Sequence, residues 1–263
     1  MSHKIQQIKH HYPENVCILD DYYLSSIAGR LSQSDLRQPQ FNFYLKEFYK
    51  YFFIRVLNHV WPVKEKDIAT RMSQIHPEQK AKTHFFDPAF SAVCVDLARA
   101  GMVPSQVVFD QLNHLVSPER VRQDHVFASR VADQNQRVTH TELSSNKIGG
   151  TVENAFVFIP DPMGATGHSL SEVISHYKNS IEGKSHCFIS LHMIITPEFV
   201  RKISQDHPDT RIFAARLDRG FSTPEALNEA PGKLWEQEKG LNDSQYIVPG
   251  AGGVGELINN SFV

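Results

Sequence analysis

The feature that most constrains this chain is a series of short, apolar, β-branched segments that alternates with amphipathic stretches from Phe90 onward. Residues 91–95 read SAVCV, 125–128 HVFA, 155–159 AFVFI, 187–195 CFISLHMII and 211–217 RIFAARL. Runs this continuous suit strands covered on both faces. Between them, residues 104–116, 167–178 and 199–205 read as helices. Pro104 lies near the first turn of its helix, and Thr196-Pro197 supplies a cap followed by a first-turn proline. Repeated strand, helix, strand requires parallel strands joined by helical crossovers, so the fold class is α/β. In such sheets ligands bind at the carboxyl ends of the strands.

The region before this pattern differs. Residues 41–60 (FNFYLKEFYKYFFIRVLNHV) form an aromatic-rich helical stretch whose apolar positions cover more than one stripe. That predicts a helix buried on much of its circumference, in the core or at a contact between subunits. Asp87-Pro88 breaks the chain. The expected organisation is a helical extension over 1–89, packed on a second unit spanning 90–263.

Composition excludes several functions. With 27 Lys+Arg against 29 Asp+Glu, there is no electrostatic reason to expect binding to nucleic acid or to an anionic membrane. Cys17, Cys94 and Cys187 are far apart and form no Cys-x-x-Cys pair, which argues against a disulfide framework or a structural zinc site. The fourteen histidines contain no His-Glu-x-x-His motif, and no protein-held metal is expected. No apolar run approaches the ~18 residues of a membrane helix, and the polar start lacks a secretory apolar region. The expectation is a soluble, cytoplasmic protein.

The chemistry concentrates in residues 156–170, FVFIPDPMGATGHSL. A buried strand ends at Asp161, passes through a loop of small residues and enters a helix. Gly164, Ala165 and Gly167 let a ligand approach the backbone closely, and Thr166 and Ser169 add hydroxyls. Helix N-terminal N–H groups and the positive end of the dipole suit a phosphate. Asp161 suits sugar hydroxyls rather than phosphate. A carboxylate followed by a phosphate cradle points to a ribose 5-phosphate site. Neither Gly-x-x-x-x-Gly-Lys-Ser/Thr nor Gly-x-Gly-x-x-Gly after an early strand is present, which argues against P-loop and dinucleotide folds.

The stretch Asp161-Pro162-Met163-Gly164-Ala165-Thr166-Gly167-His168-Ser169 resembles the phosphoribosyl pyrophosphate loop of uracil phosphoribosyltransferases, whose pattern is Asp-Pro-Met-Leu-Ala-Thr-Gly-Gly-Ser. Gly240-Leu241-Asn242-Asp243-Ser244-Gln245-Tyr246-Ile247-Val248-Pro249-Gly250 is similar to that family's uracil-binding segment. Arg99-Ala100-Gly101 resembles its pyrophosphate loop. The resemblance implies a type I phosphoribosyltransferase fold: a mostly parallel sheet flanked by helices, with a small hood and, here, N-terminal helices. It implies transfer of phosphoribose to N1 of uracil, with Mg²⁺ carried on the pyrophosphate. The same fold acting on another base, or a noncatalytic phosphoribosyl-ligand regulator, are the alternatives.

By position, Asp161 and Arg99 would be catalytic, and Ala165 to Ser169 would hold the 5-phosphate. Arg99, Ala100 and Gly101 would face pyrophosphate, helped by Arg130 or, in its place, Arg137. Tyr246, Ile247 and Val248, with Gly252, Gly253 and Val254, would read the base, largely through backbone groups. The implied partners are phosphoribosyl pyrophosphate, a pyrimidine base and further copies of the chain in a homo-oligomer.

Four departures stand out. Gly253 replaces an Asp of the family pattern, which predicts weaker metal–pyrophosphate organisation. His168 replaces a Gly of the loop. Asp96 replaces a Pro and is expected near a polyanion. Residues 221–239 form an insertion, expected as a surface excursion near the base site.

Overall fold

The computed structural model describes residues 5–132 and 138–262, with 129–132 and 138–142 by backbone alone. The elements in order are β1 (Val16–Ile18), α1 (Tyr22–Leu31), α2 (Gln40–Val60), β2 (Val63–Ile68), β3 (Ala81–Phe86), β4 (Ser91–Ala98) and α3 (Met102–Leu115). Then come β5 (Val121–Ala132), β6 (Val138–Lys147), β7 (Ala155–Pro160), β8 (Met163–Gly164), α4 (His168–Ser180), β9 (Cys187–Ile195), α5 (Pro197–Asp206), β10 (Arg211–Leu217), α6 (Pro224–Asn228) and α7 (Val254–Leu257). The main sheet runs β1-β10-β9-β7-β4-β5-β6, with β8 beside β9. Every pairing in it is parallel except β5 with β6.

Side chains of successive strand residues enter opposite layers, as the period of two requires. Cys94, Phe156, Phe158, Leu191 and Phe213 join α1, α2 and α3 in one core. Val93, Val95, Val157, Ile159 and Ile212 join α4 and α5 in the other. The central strands are therefore covered on both faces, which explains why their sequences show no polar alternation.

Helix α2 turns Phe41, Leu45, Phe48, Phe52, Phe53 and Val56 into the chain's own core. The stripe that could have served a subunit contact is thus largely spent within the molecule. The first 89 residues are less helical than their sequence suggests. β1 pairs with β10 at the sheet edge, and β2 and β3 form a separate antiparallel hairpin. β1 is only VCI, too short to carry a periodic signal, and β2 is exposed at every position.

Chain order reverses at the β4–β7 pair. From β4 the chain moves outward to β5 and β6, then returns on the other side of β4 to form β7. The loops after β4 and β7 therefore part at their carboxyl ends and leave a crevice, where α/β sheets place ligands. The C-terminal segment lies over it as a hood. Gln38 and Asn42 at the start of α2 donate to the Leu257 and Ile258 carbonyls at 2.8 and 3.0 Å.

Candidate active site

A cleft of about 500 Å³ opens at this crevice. Arg99 and Ala100 line it from the β4 loop. Asp161, Met163, Ala165 and Ser169 line it from the β7 loop, and Tyr246, Ile247, Gly252, Gly253 and Val254 from the hood. Residues read from three distant parts of the sequence thus face one space. Leu97, Ala98, Ala128, Gln245, Pro249, Gly255 and Glu256 complete the wall.

Beside it, Gly164, Thr166, Gly167 and Ser169 line a recess of about 40 Å³ that also touches Asp161. Gly167 caps α4 with φ of +82° and offers no side-chain cap bond; the His168 N–H of the first turn donates weakly to Thr166 Oγ1 at 3.4 Å, and the turn's N–H end faces the recess. A β-carbon at residue 167 would also press on the Lys202 side chain at 3.1 Å. The loop is stitched to β9. Thr196 Oγ donates to the Ala165 carbonyl at 2.6 Å while accepting from Phe199 N at 3.0 Å. Ile194 N donates to the Pro162 carbonyl at 3.0 Å. Gly164 stands where the resembling pattern has Leu, and the Phe199 ring fills that space, 3.0 Å from where a β-carbon would lie. Pro162 and His168 belong to the loop but do not line the cleft or the recess.

Asp161 Oδ1 accepts from Met163 N at 3.2 Å. This turn holds the carboxylate at the cleft edge, as short acidic side chains do when they bond two residues ahead. Arg99 is exposed, and its guanidinium donates to the Ser261 carbonyl and hydroxyl at 3.1 and 3.3 Å. Gly101 is a packing glycine: a β-carbon there would strike the Leu97 carbonyl oxygen at 2.7 Å. Arg130 lies on β5 within the stretch given by backbone alone, and Arg137 lies outside the described residues.

The hood segment is a tight antiparallel turn. Val248 N donates to the Gly240 carbonyl at 2.8 Å and Asn242 N to the Tyr246 carbonyl at 3.0 Å, flanking a Leu241–Ile247 bridge. This alternation directs the N–H and C=O of Ile247 away from residues 240–242. Tyr246 O and Val248 N are committed inside the turn and Val248 O accepts from Gly220 N at 3.0 Å, so of these three residues Ile247 is the one whose main-chain N–H and C=O both lie outside it. Two carboxylates that sequence reading missed hold the segment. Glu198 accepts from Gly240 N and Leu241 N at 3.0 and 3.1 Å. Asp218 accepts from Gly250 N at 2.7 Å and from Arg216 through a two-point contact at 2.7 and 2.8 Å.

Three departures change meaning here. The space that a side chain at Gly253 would enter is taken by Glu256, whose Oε2 lies 2.0 Å from the position of a β-carbon. Asp161 and Glu256 thus both line the cleft, and an acidic side chain lies over the position at which the family's Asp is replaced by Gly253. The neighbouring motif residue at 256 was the available signal. Asp96 does not face the cleft. It is buried with Oδ2 2.8 Å from His125 Nδ1 on the adjacent strand; burial pushes its pKa up while His125 opposes the shift. The His168 pKa is pushed down by burial and then by nearby Lys202, so this ring brings no cation to the loop near neutral pH.

The insertion at 221–239 contributes nothing to the cleft wall. It packs on the flank instead. Arg219 donates to Glu238 at 2.7 Å and to the Ala226 and Glu229 carbonyls. Tyr12 OH donates to the same carboxylate. Trp235 Nε1 donates to the Pro197 carbonyl at 3.2 Å.

A parallel sheet with a carboxylate-plus-cradle loop and a hood at its switch point is the type I phosphoribosyltransferase architecture. The chain belongs to the uracil phosphoribosyltransferase family, whose model matches residues 18–232. It is 29% identical over 196 residues to the uracil phosphoribosyltransferase of Thermosipho africanus, covering 72% of this chain and 78% of that protein. It is 39% identical over 102 residues to that of Fervidobacterium nodosum, covering 39% of this chain but only 38% of that protein. The AQ2163 protein of Aquifex aeolicus shares the fold with a TM-score of 0.69 at 18% identity, over 94% of this chain and 99% of that one. The hood turn at 240–250 lies beyond the family match. Among the described residues no helix is long and apolar enough to cross a membrane.

Proposed function

We propose that this protein transfers phosphoribose from phosphoribosyl pyrophosphate to uracil, forming UMP and pyrophosphate. The observation that carries this reading is the single cleft in which the Asp161 loop, the Arg99 loop and Ile247 of the hood converge. The phosphate recess fixes one end of the ribose, and Asp161 at its rim is placed to accept from the sugar hydroxyls. Across the cleft, the Ile247 N–H and C=O offer a donor and an acceptor to a pyrimidine edge, which presents alternating partners. The C1–oxygen bond breaks with its electron pair leaving on pyrophosphate. The uracil N1–C1 bond forms as N1 gives up its proton to solvent. Holding the sugar and base in line supplies much of the rate enhancement. Arg99, once released from Ser261, neutralises the departing charge.

Mg²⁺ fits this wall, because that ion is commonly held by one or two carboxylates together with substrate phosphates, and Asp161 and Glu256 both line the cleft. When bound, it would screen the pyrophosphate oxygens. Cytoplasmic salvage of uracil by a homo-oligomer is part of the same proposal.

The test is UMP formation from uracil, phosphoribosyl pyrophosphate and Mg²⁺, followed by chromatography. UMP production supports the reading. Turnover with another base only would select the changed-specificity alternative. Phosphoribosyl pyrophosphate binding without turnover of any base would select the regulatory one.

A further inference from the structure

One buried polar side chain behind the cleft has no part in the mechanism above. His192, on β9, is fully buried. Its Nδ1 lies 2.6 Å from the Asp161 carbonyl oxygen. A carbonyl can only accept, so Nδ1 carries the proton and donates. Nε2 then has no hydrogen-bond partner among the described residues. A buried unpaired acceptor costs about 1–3 kcal/mol, whereas an apolar side chain would carry no such cost. The fold retains the imidazole nevertheless.

The local main chain explains what the ring supplies. β7 and β9 pair as far as Pro160 and Leu191, and β8 resumes the pairing at Met163 and Ile194. Between them, Asp161 N donates to the Leu191 carbonyl at 3.0 Å. The next two β9 donors, Met193 N and Ile194 N, both go to the Pro162 carbonyl, at 3.1 and 3.0 Å. Neither reaches the Asp161 carbonyl, and the His192 imidazole donates there instead. The same ring meets Phe199 edge-on, with centroids 4.5 Å apart. Phe199 in turn packs where a Gly164 side chain would be. The two rings form a platform under both ends of the loop.

We propose that His192 is a positioning residue: by holding the Asp161 carbonyl from beneath the loop, it sets the direction in which the Asp161 carboxylate faces the ribose. The proposal rests on reading Asp161 as the ribose-holding group. The Asp161 main chain is pinned at N by Leu191 and at O by His192, so loss of the second contact lets the residue rotate without unfolding the strand.

The experiment compares His192→Leu, His192→Asn and His192→Gln. Asn can place an amide N–H near the position of Nδ1; Gln places it a bond further out, and Leu keeps apolar bulk without a donor. His192→Leu and His192→Gln should lose roughly ten-fold or more in kcat, with Asn recovering most of it, since small misplacements of a reacting group carry large rate costs. Ribose 5-phosphate binding by calorimetry should stay within about three-fold in all variants, because the recess itself is intact. Nitrogen-15 spectra of the wild type should show a neutral Nδ1–H imidazole from about pH 5 to about pH 8. Equal kcat in Leu and Asn variants, losses that merely track melting temperature, or an Nε2–H tautomer would each overturn the proposal. A wild type that binds neither ribose 5-phosphate nor phosphoribosyl pyrophosphate would instead overturn the function on which it rests, whatever the imidazole spectrum shows.

Discussion

At the scale of single residues, the cleft depends on two carboxylates with different origins. Asp161 sits in a turn made by its own neighbours, so its place is written in consecutive residues and is legible from sequence. Asp161→Asn keeps the turn acceptor but removes the charge. It should reduce kcat by about 100-fold, the scale of losing one preorganised electrostatic contact, while calorimetric ribose 5-phosphate affinity changes little. Glu256 is marked in the sequence only by its place in the motif, which does not say where its carboxylate lies. Its location depends on its side chain folding back over a residue that has none, a property of the three-dimensional path. Gly253→Ala should push the Glu256 carboxylate out of its position and raise the KM for phosphoribosyl pyrophosphate. In a Glu256→Ala background the same change should do almost nothing, giving a coupling of about 1 kcal/mol in a double-mutant cycle. Additive effects would show that the two positions are independent. Asp96 teaches the converse lesson. Its sequence position beside Arg99 suggests a charge facing the substrate, yet its partner is His125, placed opposite by the β4–β5 register.

At the scale of elements, β9 and β10 coincide with their sequence-predicted ranges, because long apolar β-branched runs have little alternative to a buried strand. The helix predicted at 104–116 begins two residues earlier, at Met102, and the strand predicted at 125–128 extends to Val121–Ala132. Of the extra β5 residues, 121–124 pair with β4 and 129–132 with β6, pairings that the local pattern of 125–128 does not announce. The insertion is a surface excursion as its composition predicts, but it packs on the flank rather than lining the cleft. Its composition marks an exposed loop, but its position is decided by Glu238, which is buried between Arg219 and Tyr12 from opposite ends of the sequence. Removing one member of a buried pair leaves the other uncompensated, so Glu238→Ala should lower unfolding free energy by about 3–5 kcal/mol. Because the insertion is absent from the cleft wall, KM for phosphoribosyl pyrophosphate should stay unchanged at temperatures below the transition. Denaturant titration and steady-state kinetics on the same preparation separate the two effects.

At the scale of the whole molecule, near-zero net charge conceals a marked asymmetry in how the folded chain handles protons. Burial is the leading influence on His10, His168, His192 and His207, and it pushes all four pKa values down. His192, the most buried, is brought to about 3, with the Asp161 carbonyl bond opposing the shift. The unfolded chain protonates such groups near their ordinary value of 6.5, whereas the folded chain excludes those protons to lower pH. Acidification therefore favours unfolding, and stability falls as pH drops below about 6.5, by up to about 1.4 kcal/mol per pH unit for a site that stays fully neutral when folded. For His192 this window extends down to about 3. The raised pKa of Asp96 acts in the opposite sense: its buried carboxyl takes up a proton more readily in the folded chain, offsetting part of the loss on the acid side. The depressed carboxyls of Asp206 and Asp209, each drawn down by a lysine against burial, add a further loss only below the ordinary aspartate range. Urea unfolding from about pH 7.5 to about pH 5 should thus show a progressive fall in unfolding free energy, beginning at the ordinary histidine range. In His192→Leu the slope should be shallower by close to one proton's worth. A flat profile in the wild type, or an identical slope in the variant, would show that the buried imidazole is not held neutral by the fold.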